Sequence, residues 1–173
     1  MIKKTILSVL LAASLLACTS ENDKNAAKGK ENIAFYSRVW EVAINEGRTN
    51  ILDSAYTDDA VLHTVPETKG KANAKAYYEN YVTGFSERQF IIKEIFADGD
   101  KLVKHWQFKG KHTGDFFGIP ASGNYLDLSG TTIVTMRDGR IAKEHDFYNM
   151  QTILDQLMKS KGDIVIDEQK SIN

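Results

Sequence analysis

The sequence predicts an α+β domain over residues 31–158, with helices first, then antiparallel strands, then a closing helix. Three observations carry this. Apolar residues recur at helical spacing in Ile33, Tyr36, Trp40 and Ala43, and again in Tyr77, Tyr78, Tyr81, Val82 and Phe85. From Arg88 onward the period changes to two. The turns "DGD" (Asp98 to Asp100) and "RDGR" (Arg137 to Arg140) then join successive strand-like runs.

The first helix contains Ile33 to Ala43, with Gly47 placed to cap its C-terminus. A short helical stretch, Asn50 to Tyr56, has Asn50 as candidate N-cap. "AVLHTV" (Ala60 to Val65) reads as a short strand, and Ala74 to Phe85 as the next helix. Four sequential strands follow. They are Arg88 to Ala97, Lys101 to Gly110, a run near Tyr125 to Met136, and Arg140 to Tyr148. In the second of these, Leu102, Trp106 and Phe108 alternate with Val103, His105 and Gln107. Met150 to Met158 closes the domain as a helix, with Asn149 as its natural N-cap. A strongly curved sheet wrapped over these helices would enclose a pocket.

The last hairpin decides which residues share a face. Arg137-Asp138 suits a type I turn, with Gly139 as the left-handed residue of a bulge. Met136 then pairs with Arg140, and Thr132 faces Glu144. Thr132, Val134, Ala142, Glu144, Asp146 and Tyr148 share one face. Thr131, Ile133, Ile141, Lys143, His145 and Phe147 share the other. A plain two-residue turn would instead pair Arg137 with Arg140 and put Thr132 beside His145. Turn chemistry favours the bulge. Both faces mix apolar and charged residues, so periodicity leaves open which one is inside.

The chain has 173 residues, 42% hydrophobic and 26% charged, enough for one domain with a sizeable core. Its net charge of −1 gives no basic field for a nucleic-acid partner. Residues 1–17 read as a signal peptide. Lys3 and Lys4 precede an apolar run from Ile6 to Ala17, and its 12 residues fall short of the roughly 20 a bilayer span needs. "LLAC" (Leu15 to Cys18) resembles the bacterial lipobox, which implies lipidation at Cys18, the only cysteine. Thr19 at the next position implies, by the same resemblance, the outer membrane. Residues 18–30, "CTSENDKNAAKGK", read as a flexible tether, and residues 159–173 as a polar tail.

Longer motifs carry a second resemblance. "NEGRTNILDSAYTDDAVLH", "ADGDKLVKHWQFKGKHTGDFFGIPASG" and "RDGRIAKEHDFYNMQTILDQL" resemble the signatures of the SnoaL-like polyketide cyclases (ester cyclases), within the nuclear transport factor 2-like superfamily. The middle segment follows that family's W-x-F-x-G-x-H-x-G-x-F-x-G-I-P-x-x-G pattern nearly letter for letter. The resemblance implies a cone, a curved antiparallel sheet over helices with an apolar pocket. It also implies cofactor-independent intramolecular aldol chemistry on a small apolar carbonyl compound. The acidic residue that removes and returns the proton falls on Asp146. The family's His or Asp at position 132 is Thr132 here. The Trp before the acid is His145, and the later Asp is Asn149.

Asp146 is thus the leading catalytic candidate. Apolar surroundings would strengthen so weak a base, since burial disfavours the charged form. His63, in an otherwise apolar run, is the second, placed to orient a carbonyl or share a proton. Thr132, Glu144 and Tyr148, on the face of Asp146, and Trp106 are candidate substrate-binding residues. His112 reads as a loop-ordering residue, and Gly118-Ile119-Pro120 as part of a pocket lid. No metal-binding spacing, phosphate loop or nucleophile elbow occurs, and the chemistry calls for no cofactor. The alternative is a non-catalytic surface lipoprotein that binds a small ligand. A homodimer through the open sheet face is a further expectation, because related folds pair that way.

Overall fold

The structure, a computed structural model, describes residues 2–64 and 67–159, with side chains from residue 21 onward. The polar tail beyond Lys159 and the side chain of Cys18 lie outside the described residues. Helix α1 (Ile2–Trp40) continues as a π-helical turn (Glu41–Asn45). Gly47 ends it at φ +71°, a conformation that suits glycine, and the next amide, Arg48 N–H, bonds back to the Val42 carbonyl at 3.0 Å. A 3-10 turn (Thr49–Ile51), α2 (Leu52–Ala55), β1 (Tyr56–His63), β2 (Thr68–Lys69) and α3 (Lys71–Gly84) follow. Then come the long strands β3 (Phe85–Asp98), β4 (Lys101–His112), β5 (Tyr125–Arg137) and β6 (Arg140–Tyr148), and α4 (Met150–Leu157). The Asn149 side chain caps α4 by accepting from Gln151 N–H at 2.9 Å, as expected.

The six strands form one sheet in the order β2-β1-β6-β5-β4-β3. Strand β1 runs parallel to β6; the other neighbours run antiparallel. The predicted α+β architecture therefore holds. The sequence reading missed β2 and began β1 four residues late. One face of the sheet carries Leu102, Trp106 and Phe108 of β4 and Leu126, Leu128 and Val134 of β5 into the core. Tyr36 and Trp40 of α1 and Tyr78 and Tyr81 of α3 meet them. Burying side chains of this size contributes about 1.5–3 kcal/mol each. The opposite face leaves a row exposed, Phe96, Val103 and Ile133, joined across β3, β4 and β5 by register.

Two expectations need correction. Residues 18–30 are helical, not a flexible tether. Asn25 donates to Asp98, Lys28 pairs with Asp100 at 2.6 Å, and Asn32 donates to the Gly99 carbonyl at 2.8 Å. The turn between β3 and β4 thus offers oxygen acceptors that hold α1 in place. The final hairpin also differs from the preferred register. Arg137 pairs with Arg140, and Asp138 and Gly139 both have positive φ, the signature of a type I′ turn. The extra residue lies further on, at Ala142, because Met136 pairs with Ile141 and Thr135 with Lys143. Thr132 consequently pairs with Asp146 rather than Glu144 or His145. Ile141, expected on the opposite face, is fully buried. The expected set Thr132, Val134, Glu144, Asp146 and Tyr148 still shares one face, which is the inner one.

Gly130 allows β5 to pass beneath Trp106. A Cβ there would lie 2.4 Å from Trp106 Cζ2 and 2.8 Å from the Phe147 carbonyl oxygen. Gly130→Ala is therefore expected to cost about 1–3 kcal/mol, as overpacking does, read as a lower urea midpoint.

Candidate functional site

The inner face of β4, β5 and β6 brings two carboxylates and a lysine beneath the helices. Glu144 is fully buried. Its Oε1 accepts from the Tyr36 hydroxyl, and its Oε2 from Tyr56 and, at 3.0 Å, from Tyr78. Three phenols from α1, β1 and α3 therefore converge on one carboxylate. Burial pushes the Glu144 carboxyl above its ordinary range, although the positive field of Lys104 and the phenol bonds oppose this. Burial likewise keeps all three phenols protonated.

Lys104 is inward because it stands between Leu102 and Trp106 at a spacing of two. It is 3% exposed. Its Nζ lies 4.2 Å from the centre of the Trp40 ring, 4.8 Å from Tyr36 and 4.9 Å from Phe90. Burial pulls its pKa down; the fields of Glu144 and Asp146 act the other way. Sequence reasoning missed this residue. Strict alternation along β4 was the signal that could have found it.

Asp146 is half-buried. Its Oδ1 accepts from the Thr132 hydroxyl, which itself accepts from Trp106 Nε1 at 2.9 Å. This relay fixes the carboxylate's orientation through a fully buried threonine. Asp146 lines a narrow inner hollow of about 30 Å³ with Trp40, Tyr78, Tyr81, Lys104 and Trp106. That is room for only a few waters. A larger hollow of about 470 Å³ lies outside it, walled by Tyr77, Phe116, Phe117, Ile119, Tyr148 and Met150. Tyr81 belongs to both hollows. Tyr148 touches Trp106 edge-on and approaches the Tyr77 hydroxyl at 3.3 Å, so it stands where the two meet. The outer hollow has room for the apolar body of a small molecule.

The structure thus brings Asp146, Thr132, Trp106 and Tyr148 together. It does not bring His63 with them. His63 is half-exposed, pairs with Glu67 at 2.9 Å, and rests against His145, which is exposed. The parallel pairing of β1 with β6 sets these two histidines side by side, away from the residues lining the inner hollow. The catalytic expectation for His63 is therefore corrected. His63→Ala should change stability by no more than about 0.5 kcal/mol in a urea titration, as surface substitutions do. Glu144 is corrected too: its oxygens are held by tyrosines, so it supports the site from behind rather than touching a ligand. His112 does order a loop, with Nδ1 accepting from the Ser122 amide at 3.3 Å and its backbone paired to Gly123 and Asn124.

No group of His, Cys, Asp and Glu suited to a metal occurs among the described residues. No described helix is long and apolar enough to cross a membrane.

The sequence pattern of the SnoaL-like polyketide cyclase family matches residues 30–157. No curated protein matches the chain. Several solved structures share its fold. A SnoaL-like polyketide cyclase from Jannaschia sp. CCS1 is 19% identical with a TM-score of 0.69, over 76% of this chain and 94% of that one. TsrD from Streptomyces laurentii is 24% identical with a TM-score of 0.64, over 72% and 95%. A ketosteroid isomerase-like protein from Catenulispora acidiphila, solved in complex with trimethylamine, is 15% identical with a TM-score of 0.59, over 72% and 92%.

Proposed function

The chain belongs to the SnoaL-like polyketide cyclase family, and from that premise we propose that it is a cofactor-independent acid/base enzyme acting on a small apolar carbonyl compound. The observation that carries this reading is Asp146, a carboxylate oriented by Thr132 and set in the wall of an aromatic hollow. Its free lone pairs would take a proton from the carbon next to the carbonyl. The C–H electrons would move into the new C=C bond, and the carbonyl oxygen would take up the charge. Tyr81, which burial keeps protonated, lines the same hollow and can donate to that oxygen. The nucleophilic carbon would then attack a second carbonyl of the same molecule. Asp146, now a carboxylic acid, would return the proton to the resulting alkoxide.

The experiment is hydrogen exchange. Small apolar ketones and aldehydes are incubated with the protein in deuterated buffer, and α-deuterium is followed by mass spectrometry. Incorporation above the buffer rate supports the reading. Tight binding of the same compounds without incorporation favours the alternative, a ligand-binding lipoprotein, for which the narrowness of the inner hollow speaks.

Export and lipid attachment at Cys18 belong to the same proposal, with the outer membrane as destination. Helix α1 is anchored to the domain from Asn25 onward. At about 1.5 Å per helical residue, a lipid at Cys18 would hold the domain within roughly 10 Å of the bilayer surface. Labelled palmitate should enter the wild-type chain in bacterial cells and not Cys18→Ala; equal labelling of both would exclude the anchor.

A further inference from the structure

Lys104 is a lysine inside a hollow without a close ionic partner. Among the described residues, its Nζ makes no hydrogen bond and no ion pair within 4.0 Å. The two acids whose fields reach it are engaged elsewhere. Glu144 receives three phenols, and Asp146 receives Thr132. What surrounds the Nζ instead is ring faces, from Tyr36, Trp40 and Phe90. A desolvated cation over a ring gains up to about 2 kcal/mol. Taking an ammonium out of water costs several kcal/mol even after the protein relaxes. The balance lies with burial, which draws the amine toward its neutral form. A purely structural lysine would be expected to reach a carboxylate or water with its tip. This one instead turns its nitrogen into the space that Asp146 also lines.

We propose that Lys104 is a nucleophilic amine that captures the carbonyl carbon of the ligand as an imine within the inner hollow. This rests on the carbonyl substrate class proposed above and adds a covalent step to it. The Nζ lone pair bonds to the carbonyl carbon, and the C=O π electrons move to oxygen. That oxygen gains one amine proton, giving a neutral carbinolamine. The second amine proton leaves with the hydroxyl as water, and the nitrogen lone pair closes the C=N bond. Nothing is oxidised or reduced. Asp146, in the wall of the same hollow, can relay both protons. Once protonated, the imine nitrogen accepts the electrons of a neighbouring C–H bond more readily than a carbonyl oxygen does. The proton removed by Asp146 thereby becomes easier to take.

The test uses the full chain and acetaldehyde, small enough for the inner hollow, with sodium cyanoborohydride to trap any imine as a stable ethyl-lysine. At about pH 6 exposed lysines, with pKa near 10.4, are almost wholly protonated and label slowly. Peptide mapping is expected to show Lys104 labelled at least about ten-fold faster than exposed lysines such as Lys93 and Lys143. Lys104→Met, folded by circular dichroism, should lose that fast phase and keep the slow one. Lys104 labelling at or below the rate of the exposed lysines overturns the inference, and mapping of the wild-type chain alone is decisive if the variant does not fold. Asp146→Asn separates the two proposals. Loss of α-deuterium exchange with Lys104 still inert leaves the acid/base reading standing and removes the imine. In the wild-type chain, rapid Lys104 labelling without any exchange does the reverse.

Discussion

Asp146→Asn is expected to lower α-hydrogen exchange by about 10²–10⁴-fold, the range that a positioned general base contributes. Binding should change little. Asn has the same shape, and its amide oxygen can still accept from Thr132, so the aromatic walls keep their places. What is lost is the lone pair that holds a proton. A fall in kcat with an unchanged dissociation constant is the pattern that identifies a group acting on the reacting atoms. Because Asp146 is only half-buried, folding stability should stay within about 1 kcal/mol of wild type by urea titration.

The second large effect is on stability. Glu144→Ala should destabilise the fold by about 3–5 kcal/mol, the cost of a core cavity together with buried phenols left without their acceptor. The side chain is the common acceptor for Tyr36, Tyr56 and Tyr78. Its removal leaves phenols from α1, β1 and α3 without that acceptor, together with a void. Glu144→Gln keeps the shape and should cost far less. It also isolates the pH dependence. Burial raises the folded carboxyl above its ordinary value of 4.5. A raised carboxyl contributes stability that is full below the ordinary value and is lost as pH rises through the folded one. The melting temperature of wild type relative to Glu144→Gln should therefore be most favourable near about pH 4 and decline toward pH 8. A difference that is flat or grows with pH would show Glu144 ionised in the folded state.

Much of this was legible in the residues. Asn149 at the start of α4, Gly47 after α1 and the alternation in β4 each reflect a local rule with a local cause. The inner set of the last hairpin was also legible, through two offsets that preserve parity. A bulge at Gly139 and a bulge at Ala142 shift the pairing in opposite directions from a plain two-residue turn. The two registers therefore differ by two positions, and from Lys143 onward each side chain keeps its face while changing its partner; Ile141, before the bulge, is the one that turns inward. What the sequence concealed was long-range. Whether residues 18–30 stay loose depends on oxygens at Asp98, Gly99 and Asp100, some seventy residues away. The place of His63 follows from the parallel pairing of β1 with β6, which no local pattern encodes. Lys104 was hidden by the rule that lysines face water. Here the rings of Tyr36, Trp40 and Phe90 replace the water.

The most direct measurement is a crystal structure with a small ketone that has no α-hydrogen and so cannot turn over. Its body is expected in the outer aromatic hollow and its carbonyl in the inner one. The blocked α-carbon should then lie within about 3–3.5 Å of an Asp146 carboxylate oxygen, the separation of a near-attack geometry. A ketone confined to the outer hollow, with Asp146 turned to solvent or paired with a cation, would contradict the assignment of Asp146 as the base.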